Sequence, residues 1–174
     1  MKMRVLAIAT IVVAAAAGVI GACSKKDDAT TAPVSHIVTF RATMTGPGEI
    51  PANTTTGVGV FTATLDTVTN VFTYDVTFSG LTSNVNNGHI HGPASTTANA
   101  GTTINFNTWP GATFSFGAQA GTAHGVATLT TATAITATMS GDSLKKLLFA
   151  GLTYANIHTV NNPGGEIRGQ IIKQ

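Results

Sequence analysis

Three of the five histidines in this chain stand where an extended run meets a turn: His89 and His91 lead into Gly92-Pro93, and His158 precedes Asn162-Pro163-Gly164-Gly165. Residues two apart in a strand share a face, so His89 and His91 project together and Ile90 projects the other way, toward a core. The same alternation in residues 154–159 directs Ala155 and Ile157 inward and Tyr154, Asn156 and His158 to the opposite face. Imidazole nitrogen suits copper or zinc. Two histidines from one strand and a third from its neighbour make a workable ligand set, with His124 a further candidate. The alternative chemistry is structural. The imidazoles can satisfy the backbone groups of both turns, in a hydrogen-bonded corner built with Asn156, Asn162, Pro163, Gly164, Gly165, Glu166 and Arg168.

The remaining polar residues narrow the function further. Glu166 and Arg168 share a strand face and suit an ion pair or a cross-strand partnership, with Glu49 a second partner for Arg168. The Gly164-Gly165 step supplies positive φ for a turn, and no helix follows it to hold a phosphate. The chain has no Gly-x-Ser-x-Gly elbow and no carboxylate pair suited to acid/base work, so no residue is assigned a catalytic role.

The elements that must position these residues begin after a leader. Lys2 and Arg4 precede an apolar run from Val5 to Ile20, the layout of an export signal. The run falls short of the ~20 apolar residues that span a bilayer, which argues against a transmembrane anchor. Ile20-Gly21-Ala22-Cys23 resembles the bacterial lipobox, which implies cleavage before Cys23 and acylation of its thiol. The chain then divides into a signal peptide (1–22), the acylated cysteine with a polar tether (23–36) and one folded domain (37–174). Ser24, where an aspartate would favour retention at the inner membrane, points to the outer membrane of a bacterial envelope. Cys23 is the sole cysteine, so no internal disulfide supports the domain. Without Lys2 and Arg4 the 9 basic residues fall to 7, equal to the 7 acidic ones, and no basic stripe remains to bind nucleic acid. The expected partners are the membrane, through the lipid on Cys23, and an unidentified protein or other envelope component.

From Ile37 onward, short alternating runs separated by Gly, Pro and Asn predict an all-β fold, an antiparallel Greek-key-like sandwich. Strands are expected at Val38–Met44, Gly57–Leu65, Phe72–Phe78, Thr122–Leu129, Ile135–Met139, Tyr154–Thr159 and Glu166–Ile172. Ala94–Thr108 reads as a long polar loop, and Trp109 as cover for the core edge. One short helix, capped by Asp142 or Ser143 and stopped by Gly151, carries Leu144, Leu147 and Leu148 on one face to plug an end of the sandwich. Gly80-Leu81-Thr82 recurs as Gly151-Leu152-Thr153, each ahead of a histidine-bearing strand, which hints at two related halves.

Four segments together carry a family resemblance: Gly48-Glu49-Ile50-Pro51, His89-Ile90-His91-Gly92-Pro93-Ala94, Tyr154 to Thr159, and Asn162-Pro163-Gly164-Gly165-Glu166-Ile167-Arg168-Gly169-Gln170. The chain resembles the CHRD (chordin) domain family in its bacterial lipoprotein form, from about Phe40 to Ile172. Ala52 stands where a second proline is frequent, and the loop after Ala94 is richer in threonine than usual. The resemblance implies an extracytoplasmic β-rich module with no established catalytic activity, acting in binding or structure. A more distant likeness in motif layout links the chain to copper,zinc superoxide dismutases. It maps only His89 and His91 onto copper ligands.

Overall fold

The computed structural model describes residues 36–174; the leader, Cys23 and most of the tether lie outside them. Ten strands and one helix follow in the order β1 (Ile37–Thr45), β2 (Val58–Asp66), β3 (Val71–Ser79), β4 (Val85–His91), β5 (Thr102–Asn105), β6 (Thr113–Phe114), β7 (Gly121–Thr128), α1 (Gly141–Phe149), β8 (Tyr154–Thr159), β9 (Ile167–Gln170) and β10 (Ile172–Lys173). Backbone pairing joins them in one antiparallel sheet, ordered β5-β4-β8-β9-β1-β2-β3-β7-β6, with β10 beside β1. The all-β fold with one short helix is therefore as the sequence predicts, but the two layers expected of a sandwich are limbs of a single curled sheet. The curl nearly closes, because Val85 of β4 exchanges backbone bonds with Ala118 (2.9 Å) and Gly117 (3.0 Å), between β6 and β7.

Alternation drives the curl. Phe40, Ala42 and Met44 of β1, Phe61, Ala63 and Leu65 of β2, and Phe72, Tyr74, Val76 and Phe78 of β3 are buried on one face. Ile90, Ile104, Ala155, Ile157 and Ile167 from the other limb enter the same core. Phe106 meets Tyr74 at a ring separation of 5.2 Å, so the two limbs touch through aromatic rings. Each large side chain so buried contributes about 1.5–3 kcal/mol. Threonine and other polar residues occupy most of the outer face of β1 to β3.

Three local expectations are corrected. Ile135–Met139 is not a strand: its backbone folds back on itself, with Ile135 and Thr136 both donating to the Met139 carbonyl. Ala94–Thr108 is not wholly loop, because Ile104 is buried opposite Ile90 and brings β5 into the sheet. The helix starts earlier than predicted, with Ser140 as its cap accepting from the Ser143 N–H, and Leu144 and Leu148 reach the core. Trp109 packs partly buried against the core and donates from Nε1 to the Val126 carbonyl, as its reading as edge cover requires. Gly80 and Gly151 of the internal echo share left-handed φ values of 67° and 65°.

One buried carboxylate ties distant segments together. Glu166 Oε1 accepts from Thr55 Oγ1 (2.7 Å) and the Thr82 N–H (2.7 Å), and Oε2 accepts from Thr82 Oγ1 (2.9 Å), Thr159 Oγ1 (2.5 Å) and Asn162 Nδ2 (3.1 Å). Burial opposes the charge, but these donors outweigh it and hold the carboxyl below its usual range. Glu166→Gln exchanges an acceptor for a donor amid five donors. It is expected to lower stability by about 3 kcal/mol or more, read from the midpoint of urea unfolding; a change below 1 kcal/mol would contradict this role.

Candidate functional site: a three-histidine corner

β4 and β8 run antiparallel side by side, with His89 opposite Asn156 and Asn87 opposite His158. Their core face carries Ile90, Ala155 and Ile157, and their other face carries His89, His91, Tyr154, Asn156 and His158, as alternation predicts. That second face is not open, however: His89 and His91 are each only 8% exposed, and Asn156 is buried. The segment from Ala94 to Gly101 covers it. Arg168 fastens this cover by donating to the Asn99 side chain (2.7 Å) and to the carbonyls of Ser95 (3.2 Å) and Ala98 (2.7 Å). Its guanidinium lies 3.5 Å from the centre of the Tyr154 ring, and Tyr154 stacks on His91 at 4.7 Å. Among the described residues no carboxylate lies within ion-pair distance of Arg168, so the expected pairing with Glu166 or Glu49 is replaced by carbonyl and aromatic contacts.

The structure brings His89, His91 and His158 together, with one ring nitrogen from each within 4.8 Å of the others. His89 Nδ1 lies 3.0 Å from His158 Nε2, and Asn156 Oδ1 lies 3.1 Å from both His91 Nε2 and His158 Nε2. The far nitrogens face carbonyls, His91 Nδ1 at 2.9 Å from Ala100 and His158 Nδ1 at 2.9 Å from Pro163. His124 is not part of this group. It sits within β7, 2.8 Å from Asp75 Oδ1 on the exposed outer face.

Proton counting exposes the chemistry of the corner. A neutral imidazole has one N–H, yet His91 stands between two acceptors, the Ala100 carbonyl and Asn156 Oδ1. His158 stands likewise between the Pro163 carbonyl and Asn156 Oδ1. Doubly protonated rings would satisfy these contacts, but burial holds all three pKa values below the usual histidine range. His89 is driven down to about 3, by burial first and then by its histidine neighbours. Lone pairs therefore converge without enough hydrogens to separate them. A cation at their centre would relieve this, while the carbonyls hold the far N–H groups in the manner of outer-shell partners of metal-bound histidine. Nitrogens ligating one tetrahedral ion at ~2.1 Å lie ~3.4 Å apart, so the widest spacing, 4.8 Å, must close by roughly 1.4 Å.

Residues of the turn support the corner rather than enter it. Asn162 accepts through its carbonyl from the Gly165 N–H and reaches Glu166 with its amide, Pro163 orients His158, and Gly164 has open space around it. Gly165 adopts φ +130°, and a Cβ there would approach Glu49 Oε1 within 2.3 Å. Glu49 is a buried carboxyl whose Oε1 has no hydrogen-bond partner. Burial pushes its pKa up to about 7, against the pull of Arg168, the Asn156 amide and the Ile50 N–H. Sequence reading passed over Asn156 as the shared centre and the Ala100 carbonyl as an acceptor, because both depend on how the cover folds across β4.

The match to known families covers this whole arrangement. The family model of the CHRD domain spans residues 40–171, including both histidine strands and the closing turn. The chain belongs to the CHRD domain family. No curated protein and no solved structure matches it.

The site gives this CHRD domain a defined pH response. The histidines have folded pKa values below the unfolded value of about 6.5, so as pH falls below 6.5 the unfolded chain takes up protons that the folded one refuses. His89 and His91 each remove up to about 1.4 kcal/mol per pH unit on acidification, and the partly exposed His158 less. Glu49, raised to about 7, acts oppositely: its contribution is complete below its unfolded pKa and is lost as pH rises through 7. In chelator-treated protein, unfolding free energy is expected to peak near neutrality and fall on the acid side. His89→Gln should flatten the acid limb, whereas Glu49→Gln should steepen it, by removing the opposing contribution that Glu49 makes between its unfolded pKa of 4.5 and its folded one of about 7. A pH-independent midpoint of denaturation between pH 4.5 and 6.5 would refute the assignment.

Proposed function

We propose that the protein is a lipid-anchored, extracytoplasmic CHRD module that binds one copper or zinc ion at His89, His91 and His158 and does not turn over a substrate. The observation that carries this reading is the excess of lone pairs over hydrogens around Asn156 Oδ1. Asn156 Oδ1 supplies a fourth donor, and four protein donors make the closed set of a structural metal site rather than the open one of a catalytic centre. Burial excludes protons from the three rings at neutral pH, so a metal faces no proton competition there. The anchor at Cys23 and an envelope location, on the outer membrane, rest on the lipobox resemblance and the basic, apolar start of the chain.

Purified mature protein, stripped with chelator and titrated separately with Zn²⁺ and Cu²⁺, is expected to take up one ion per chain. At an ion concentration a hundredfold above Kd, the unfolding free energy should rise by about 2.7 kcal/mol. His89→Ala/His91→Ala should lose both the stoichiometric ion and the stabilisation. Absence of stoichiometric metal, or equal binding by the double mutant, would restore the purely hydrogen-bonded corner, and metal-dependent turnover would sink the non-enzymatic part. Mass analysis of the native protein tests acylation at Cys23.

A further inference from the structure

Outside the histidine corner, the first residues of β1, the end of α1 and the C-terminal strand meet at one edge of the sheet, with Phe149 and Lys173 on the Phe40 side and Ile37 and Ile172 on the Arg41 side. Phe149, 41% exposed, packs edge-on against Phe40 at 5.7 Å. Phe40 and Lys173 are register partners, and the Lys173 ammonium lies 5.5 Å from the centre of the Phe149 ring. Ile172 is 48% exposed, and its Cδ1 lies 3.4 Å from where a Cβ on Gly151, just past the helix, would stand. The Gln174 N–H donates to the Thr39 carbonyl, which ties the C-terminus to the start of β1, where Ile37 is 48% exposed. Lys146 in the last helical turn and Lys173 provide the exposed positive charge. The acidic neighbours are engaged: Asp142 binds Lys145 at 2.8 Å, and Asp66, opposite Ile37, accepts from the Val68 and Thr69 N–H groups.

We infer that this patch of exposed apolar residues flanked by lysines lies against an anionic phospholipid surface and orients the anchored domain on its membrane. The inference rests on the proposed acylation of Cys23. The thirteen residue steps from Cys23 to His36 span at most ~47 Å when fully extended. The domain therefore stays within reach of the bilayer, and the chain enters it next to the patch, at Ile37. In the tether Lys25 and Lys26 are matched by Asp27 and Asp28, so the positive charge on this approach is that of Lys146 and Lys173. A few apolar side chains with basic residues bind an anionic surface weakly and reversibly, which is sufficient for a domain already held there by lipid.

The test uses the mature chain expressed without its leader and carrying Cys23→Ser, so that no acyl chain contributes. It is mixed with vesicles of phosphatidylglycerol and phosphatidylcholine, or of phosphatidylcholine alone. Binding only to the anionic vesicles, weakened by salt, is expected. Lys146→Gln/Lys173→Gln should weaken it about 25-fold, at roughly fivefold per charge, while circular dichroism confirms the fold. On the acylated protein in the same anionic vesicles, a dye at Ile172→Cys should be quenched by nitroxide lipids, and one at Val160→Cys, exposed elsewhere, should not. Equal binding to neutral vesicles, no effect of the double substitution, equal quenching at both positions, or self-association through the patch without vesicles would each overturn the inference. Absent acylation with intact vesicle binding would overturn the anchor and leave the patch.

Discussion

Five donors converge on the buried carboxylate of Glu166, from the segment before β2, the turn after β3, the end of β8 and the turn between β8 and β9. A charge without this shell could not remain ionised out of water, and donors without the charge would be left unpaired. The node therefore fixes the Asn162–Gly165 turn against both limbs of the sheet. That turn in turn presents the Pro163 carbonyl to His158 Nδ1 and so aims Nε2 at His89 and Asn156. The geometry of the histidine corner is inherited from a carboxylate that never touches it.

The two polar centres on either side of the turn have opposite imbalances. Around Glu166 the donors gather about an anion and every bond is made. Around Asn156 the acceptors gather, and the deficit of hydrogens is what a cation would fill. Turning the Asn156 amide over would give His91 and His158 a donor, but would set Oδ1 against the Glu49 carboxyl that the amide N–H₂ now favours in its ionised form. Protonated Glu49 tolerates that exchange and ionised Glu49 resists it. Metal occupancy and the amide orientation are thus alternatives governed by the same local electrostatics.

Much of this was legible from sequence because period-two alternation is a strong signal. It identified β1, β2, β3, β7 and β8, set Ile90 and Ile157 in the core, and placed His89, His91 and His158 together on the other face. It could not show that this face is covered, since the cover is a polar segment held by Arg168 through backbone carbonyls, a contact that any sequence there could supply. β5 escaped notice because only Ile104 distinguishes it within Asn- and Thr-rich surroundings. Ile135–Met139 misled for the converse reason: alternating Thr and Ala satisfy the strand pattern but bury little, so local turn bonding prevails. The orphaned Oε1 of Glu49 had no sequence signal, because it follows from the Gly165 backbone closing over the carboxylate.

A strand buried on one face needs only apolar residues there, but β4 and β8 are buried on both, and one of those faces is polar. Such a face must satisfy its own hydrogen bonds internally or hold something that does. In a chain with 9% charged residues and a single cysteine, an unsatisfied polar layer consumes stability that little else replaces. The Tyr154–His91 stack and the Arg168 cover exclude the solvent that would otherwise hydrate the imidazoles. Occlusion around nitrogens kept deprotonated by burial is the environment that the proposed ion would occupy. An ion held there would become part of the fold, because releasing it would reopen the deficit of hydrogens between β4 and β8.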